Sequence, residues 1–214
     1  MHIHFSLMIS FVLLGILFCI KRQIKQTEGM KSNKKLILIG DSIFQNKNYV
    51  DKGESIEDIL QDKAFVLAKD NAKIVDIYSQ INKINEDQNI KTNIIVVSAG
   101  GNDLDYLYKD LGNIDSLETI FTNYKKLIMD IDKKTKPQIV LSTIYYPTNK
   151  EYKPYSHVLE MWNKEVMKFA KENNFKIFHL HKYITKPNHF IKKIEPSKEG
   201  GKIIADNLLK LLKI

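Results

Sequence analysis

Short apolar runs alternate with segments of helical periodicity from Lys34 to the end of the chain. Nearly continuous apolar runs of this length are typical of strands buried on both faces of a parallel sheet. The pattern therefore predicts five strands: residues 36–39, 64–68, 94–98, 139–144 and 175–180.

The segments between these runs place apolar residues three and four positions apart, which predicts amphipathic helices. Ser55 and Asp58 form a capping-box pattern before one of them, and Ser116 is a candidate cap for the longest. The predicted helices cover residues 56–60, 74–84, 116–131, 158–169 and 197–211. Strands that alternate with helices predict one three-layer α/β/α sandwich around a mostly parallel five-stranded sheet.

The first 20 residues carry no formally charged side chain, and residues 5–20 are almost wholly apolar. A helix of about 20 residues just spans the hydrocarbon core of a bilayer, so this segment predicts a single-pass membrane anchor. The basic linker 21–33 favours a cytoplasmic position for the domain 34–214. Two alternatives stay open: a cleaved export signal, and a start at Met30 that gives a cytoplasmic protein without the segment.

Composition narrows the choice of partners and cofactors. The net charge is +8, but the lysines are scattered and not concentrated with aromatic residues, so nucleic acid is not an expected partner. The only cysteine is Cys19, and the sequence has no His-Glu-x-x-His or Cys-x-x-Cys pattern, so we expect no metal and no cofactor. No G-x-G-x-x-G follows the first strand, which disfavours a dinucleotide-binding protein.

Two of the predicted strands end in turns that carry polar side chains. The first leads into Gly40-Asp41-Ser42, and the third leads into Gly100-Gly101-Asn102-Asp103. The carboxyl ends of parallel strands share one edge of the sheet, so we expect both turns to line one site. The Ser42 hydroxyl is a candidate nucleophile or a helix cap, and the Asn102 amide is a candidate oxyanion donor or part of an Asx turn.

With the Pro-Ser and Gly-Gly stretch that opens the last helix, these motifs resemble the SGNH (GDSL) hydrolases over about residues 34–212. The resemblance implies the SGNH-hydrolase, flavodoxin-like fold and serine esterase or lipase-like chemistry on a small-molecule, lipid or carbohydrate ester. Ser42 matches the nucleophile and Asn102 the oxyanion asparagine, while Asp41, Gly100 and Asp103 belong to the same motifs. We expect Asp103 to act as a structural acceptor.

One further oxyanion donor of the family is a backbone N–H after the second strand. Asn71 stands there in place of the usual glycine. The backbone N–H survives this change, and the side chain avoids crowding the pocket if Asn71 takes the left-handed conformation that asparagine tolerates.

The departure from the family pattern lies near the C-terminus. The usual Asp-x-x-His block is replaced by Lys192 and Glu195, as in a subgroup with the stretch Ile-Glu-Pro-Ser. Three interpretations are open. Glu195 is itself the base, with a raised pKa; His189 swings into the site with a carboxylate to orient it; or the domain binds esters or glycans without turnover, as a membrane-anchored binding or scaffold module.

Overall fold

The predicted strands form a five-stranded, all-parallel sheet in the order β2-β1-β3-β4-β5, in a computed structural model that describes residues 34–84, 93–104, 114–135 and 137–213. The strands are β1 (Leu36–Gly40), β2 (Ala64–Val66), β3 (Ile94–Ser98), β4 (Gln138–Ser142) and β5 (Lys176–Phe178). β1, β3 and most of β4 are fully buried because helices cover both faces of the sheet. The predicted three-layer sandwich is confirmed.

The helices alternate with the strands, as the periodicity predicts. They are α1 (Ile56–Leu60), α2 (Ile74–Ile81), α3 (Gly101–Leu104), α4 (Ile114–Thr135), α5 (Ser156–Glu172), α6 (Leu180–Tyr183) and α7 (Lys198–Leu211). Three 3₁₀ helices and a hairpin complete the described structure: Gln61–Lys63, Lys150–Tyr155, Pro187–His189, β6 (Phe190–Ile191) and β7 (Glu195–Pro196). The capping box predicted at Ser55 is confirmed, because its hydroxyl accepts from the Asp58 N–H at 3.1 Å while the Asp58 carboxylate accepts from the Ser55 N–H.

Several element boundaries differ from the prediction by a few residues, and two of the differences move a predicted cap or a histidine. The longest helix begins at Ile114, so Ser116 lies inside the helix and is not its cap. β5 ends at Phe178, so His179 follows the strand and His181 lies in the short helix α6. The apolar run through Leu180 suggested a longer strand, but Leu180 is buried in the core as the first residue of α6.

The strand order places a crevice beside β1. The strand that follows β1 in the chain, β2, lies on one side of it, and β3 lies on the other side. The carboxyl ends of β1 and β3 therefore form a topological switch point. Gly40, the last residue of β1, lies in register with Ser98, the last residue of β3. The two polar turns predicted to share a site therefore start at the same level of the sheet.

Gly40 allows this close approach. Its φ is +138°, and a Cβ built there would lie within 1.9 Å of the Ser98 carbonyl oxygen. Any side chain would therefore push β1 and β3 apart. The Gln80 side chain completes the junction, since it accepts from the Gly40 N–H at 2.7 Å and donates to the Gly40 carbonyl at 2.8 Å. The backbone before Ser42 is consequently held on both sides.

The predicted anchor, residues 1–20, and the linker, 21–33, lie outside the described residues. Among the helices that the structure does describe, none has the length and apolarity needed to cross a bilayer.

Candidate active site

The turns after β1 and β3 meet a C-terminal hairpin around a small pocket of about 80 Å³. One side of the pocket is polar and the other is mostly aliphatic. Its lining residues are Asp41, Ser42, Ile43, Gly101, Asn102, Ile144, Tyr145, Pro147, Tyr152, Leu159, Ile194 and Glu195. The structure thus brings together Ser42, Asn102 and Glu195, three of the four residues that the sequence suggested for chemistry.

Asp41 shapes the turn that presents Ser42. Its carboxylate accepts from the Ile43 N–H and from the Ser98 hydroxyl, both at 3.2 Å. Its carbonyl accepts from the N–H groups of Phe44 and Gln45, so the chain bends sharply directly after Ser42. Ser42 is 9 % exposed and lines the pocket.

Asn102 is oriented by one of its two amide N–H groups, which donates to the Ala72 carbonyl at 3.0 Å. This bond places nitrogen and oxygen unambiguously, and the second N–H remains as a donor for a ligand. Its neighbour Asp103 accepts from the Ile74 N–H at 3.0 and 3.3 Å and so caps the start of α2. Burial raises the pKa of Asp103. Asp103 thus stabilises the loop that carries Asn102, the role expected for it.

Gly100 and Asn71 support the same loops through their backbone conformations. Gly100 has a φ of +103° and lies against the indole of Trp162, where a Cβ would come within 2.2 Å of a ring carbon. Asn71 has a φ of 57°, the left-handed conformation considered for it, and its side chain is exposed. Asn71 is not among the residues that line the pocket, so its side chain does not crowd Ser42.

Glu195 reaches Ser42 because the hairpin β6–β7 folds over the carboxyl edge of the sheet. Ile191 pairs with Glu195 across this hairpin. The Tyr145 hydroxyl donates to the Ile194 carbonyl at 2.7 Å, and the buried Asn46 amide donates to the Pro196 carbonyl at 3.3 Å. The residues on both sides of Glu195 are therefore anchored to the core.

The paired glycines of α7 let this segment pack closely. A Cβ at Gly200 would lie 2.2 Å from the His189 carbonyl oxygen, and one at Gly201 would lie 2.7 Å from the Asn46 amide nitrogen. Both contacts require hydrogen in place of a side chain. The glycines after Ile194-Glu195-Pro196-Ser197 therefore serve to seat the hairpin.

The charge state of Glu195 depends on opposing influences. Burial raises its pKa above the ordinary value, a hydrogen-bonding interaction with the Ser42 hydroxyl lowers it, Asp70 raises it and Lys192 lowers it, with a net upward shift. Among the described residues, Glu195 Oε2 is buried without a hydrogen-bond partner. A carboxylate with a raised pKa beside a serine hydroxyl is suited to accept that proton.

The structure does not bring His189 to Ser42. His189 is 4 % exposed, and its Nδ1 accepts from the N–H groups of Thr185 and Lys186 at 3.1 and 3.3 Å. Its Nε2 lies 4.0 Å from a carboxylate oxygen of Glu199 on α7. The His189 ring therefore stabilises the 3₁₀ turn before β6. Its use as a base would require breaking these buried hydrogen bonds.

The other histidines near the sheet edge also lie outside the pocket. His181 Nδ1 is 2.8 Å from the Thr143 hydroxyl, and His179 packs edge-on against His181. Burial lowers the pKa of both. His157 is exposed on α5. Within the described ranges, no group of three or more histidine, cysteine or acidic side chains is placed to hold a metal ion.

Asp41 is the second carboxyl group of the pocket, and its pKa is raised to about 7. Burial is the main cause, hydrogen bonds from Ile43 and Ser98 act in the opposite direction, and repulsion by Glu195 adds to the rise. The folded protein therefore holds a proton on Asp41 that the unfolded chain releases near pH 4. The stabilisation from this proton is complete below about pH 4 and is lost as the pH rises through about 7.

Replacing Asp41 with asparagine removes this titration while keeping an oxygen acceptor for Ile43 and Ser98. Between pH 4 and pH 8, we expect the free energy of unfolding of the native protein to fall by up to about 4 kcal/mol more than that of Asp41→Asn. Denaturant unfolding at several pH values measures the difference. The exposed Asp62→Asn variant is the matched control, and equal pH dependence in all three proteins would contradict the assignment.

Sequence reasoning missed the residues that anchor the hairpin and the aliphatic wall. Tyr145 and Asn46 act through hydrogen bonds to distant backbone carbonyls, and no local pattern marks such contacts. Ile144 and Leu159 look like ordinary core positions of a strand and a helix. Only the folded structure, in which Ile144 lies past the end of β4, shows that they border the site.

No protein-family model matches the chain, and no curated protein matches it in sequence. Solved structures match it over nearly its full length. A GDSL-like lipase from Bacteroides thetaiotaomicron is 13% identical with a TM-score of 0.64, and the match covers 90% of this chain and 96% of the lipase. The acetylxylan esterase Axe2 from Geobacillus stearothermophilus is 18% identical with a TM-score of 0.64, covering 86% and 95%.

Catalytic mutants of Axe2 match as well, and they replace a serine, a histidine and an aspartate, the last two lying three positions apart. At these identities the likeness concerns the fold alone. The chain has the SGNH (GDSL) hydrolase fold that the motifs predicted.

Proposed function

We propose that this protein is a serine hydrolase that cleaves carboxylic esters of short acyl groups, with Ser42 as nucleophile and Glu195 as general base. The observation that carries the proposal is the meeting of Ser42, Glu195 and Asn102 in one pocket. Each supplies a different part of acyl-transfer chemistry: an attacking oxygen, a proton acceptor within reach of it, and an amide donor.

The first half of the reaction forms an acyl-enzyme. The Ser42 oxygen attacks the ester carbonyl while its proton passes to the Glu195 carboxylate. Negative charge develops on the former carbonyl oxygen, where it accepts hydrogen bonds from the remaining Asn102 N–H and from the Ser42 backbone N–H. The C–O bond to the alcohol then breaks, and the alcohol leaves with the proton held by Glu195.

The second half returns the enzyme to its resting state. A water molecule gives a proton to Glu195 and attacks the acyl carbonyl, and the Ser42 oxygen leaves and regains that proton. The unpartnered Oε2 of Glu195 is an acceptor suited to bind this water.

The pocket supports a short acyl group. A volume of about 80 Å³ is well below the roughly 300–1,000 Å³ of sites for drug-sized ligands. Ile144 and Leu159 form an aliphatic wall that suits a methyl or ethyl group next to the carbonyl. The likeness to an acetylxylan esterase agrees with this size and makes acetylated carbohydrate a suitable class of substrate to examine.

A fluorophosphonate probe tests whether Ser42 is activated. We expect stoichiometric covalent labelling at neutral pH, located on Ser42 by mass spectrometry of the digested protein. Ser197 serves as an internal control, because its hydroxyl donates to the Asn188 carbonyl at 2.6 Å and accepts from the Gly200 N–H, and it should stay unmodified. If Ser42 is not labelled, the domain is the alternative binding module without turnover.

A further inference from the structure

Lys192 stands three residues before Glu195, on the turn of the hairpin that carries Glu195 over Ser42. The turn has an uncommon backbone, with φ values of 45° at Lys192 and 79° at Lys193. Side chains other than glycine, asparagine and aspartate rarely adopt two such left-handed conformations in a row. This backbone sends the two neighbouring lysines to different partners.

Lys193 pairs with the Glu151 carboxylate at 2.7 Å. Lys192 lies over the aromatic ring of Tyr49, with its ammonium nitrogen 5.1 Å from the ring centroid. A cation over the face of a tyrosine is held by the negative charge of the ring face. The two lysines thus form a natural pair for comparison, since both are exposed and share the turn.

Tyr49 is fixed in turn by Asp70. The Tyr49 hydroxyl donates to the Asp70 carboxylate at 2.8 Å, which links the loop after Ser42 to the loop after β2. Burial and the Asp70 carboxylate both raise the pKa of Tyr49, so it remains a neutral donor. Lys192 is therefore seated on a rigid ring beside the pocket.

The charged groups that face Glu195 come from three parts of the fold. Asp41 lies after β1, Asp70 lies after β2, and Lys192 lies on the hairpin itself. Burial and Asp70 favour the protonated form of Glu195, which cannot accept a proton. Lys192 is the charge that acts against them.

We infer that Lys192, seated on Tyr49, is a positioning residue that keeps Glu195 ionised and able to accept the proton of Ser42. The inference rests on the proposed function. It gives the two departures from the Asp-x-x-His pattern one explanation. A histidine base becomes a cation and suits an acidic partner, whereas the Glu195 base is an anion and suits a cationic partner, Lys192.

The test is the pH dependence of kcat/KM for 4-nitrophenyl acetate, a neutral substrate. Compared with Lys193→Met, Lys192→Met should move the acid limb to higher pH, with a loss of up to about fivefold on the limb and none on the plateau. Lys192→Arg should restore the native profile, because it keeps the charge and the stacking on Tyr49. Asp70→Asn should move the limb the opposite way, since its amide oxygen still accepts from Tyr49.

Opposite shifts of the acid limb in Lys192→Met and Asp70→Asn would show that Lys192 acts through its charge. A purely structural role of Lys192 would instead lower activity equally at all pH values. If hydrolysis depends on Ser42 but Lys192→Met and Lys193→Met share one profile, the inference is overturned and the proposed function stands. If the native protein shows no Ser42-dependent hydrolysis at any pH, both are overturned.

Discussion

Replacing Ser42 with alanine is expected to lower kcat/KM for a short-chain nitrophenyl ester by roughly 10⁴-fold or more. The loss is large because the proposed reaction proceeds through a covalent bond to the Ser42 oxygen. Among the described residues that line the pocket, the other hydroxyl groups belong to Tyr145 and Tyr152. The Tyr145 hydroxyl already donates to the Ile194 carbonyl and cannot replace the serine without releasing the hairpin.

A steady-state assay with purified proteins measures this effect, and a Ser79→Ala variant provides the control. Ser79 lies on the exposed side of α2, where its hydroxyl donates to the Asp76 carbonyl. Its loss should leave turnover within a factor of two or so, as is usual for surface substitutions. Retention of a tenth or more of the native activity by Ser42→Ala would show that the observed hydrolysis arises elsewhere.

The half of the site built from β1 and β3 could be predicted because it follows from the sheet. Apolar runs identify the strands, and the carboxyl ends of adjacent parallel strands must meet at one edge. Ser42 and Asn102 each come within four residues of such an end. The positions of Gly40 and Gly100, both with positive φ, agree with the sharp turns that these sites require.

The half that carries Glu195 could not be placed in the same way. The hairpin β6–β7 has only two residue pairs, too few for an alternating pattern, and its turn holds lysines where glycine or asparagine would signal a reversal. Its position depends on single long-range bonds from Tyr145 and Asn46. His189 stayed open as an alternative base because only the folded structure shows its ring held by backbone N–H groups.

Glu195→Gln is expected to lower kcat by about 10²–10⁴-fold, the usual contribution of a general base. Glutamine has nearly the same size and still accepts a hydrogen bond from Ser42, but it cannot take up the serine proton. The native protein should lose activity as the pH falls through the raised pKa of Glu195, because protonation removes the proposed base. In Glu195→Gln this acid limb should disappear, leaving a low rate that changes little with acid.

Glu199→Gln is the control that decides between the two candidate bases. Glu199 is an exposed carboxylate four positions further on, and it lies 4.0 Å from His189 Nε2. If His189 supplied the base, Glu199 would be the carboxylate next to it, so its loss would lower kcat while Glu195→Gln would have little effect. The proposed role of Glu195 predicts the reverse: a deep loss with Glu195→Gln, and native turnover with Glu199→Gln.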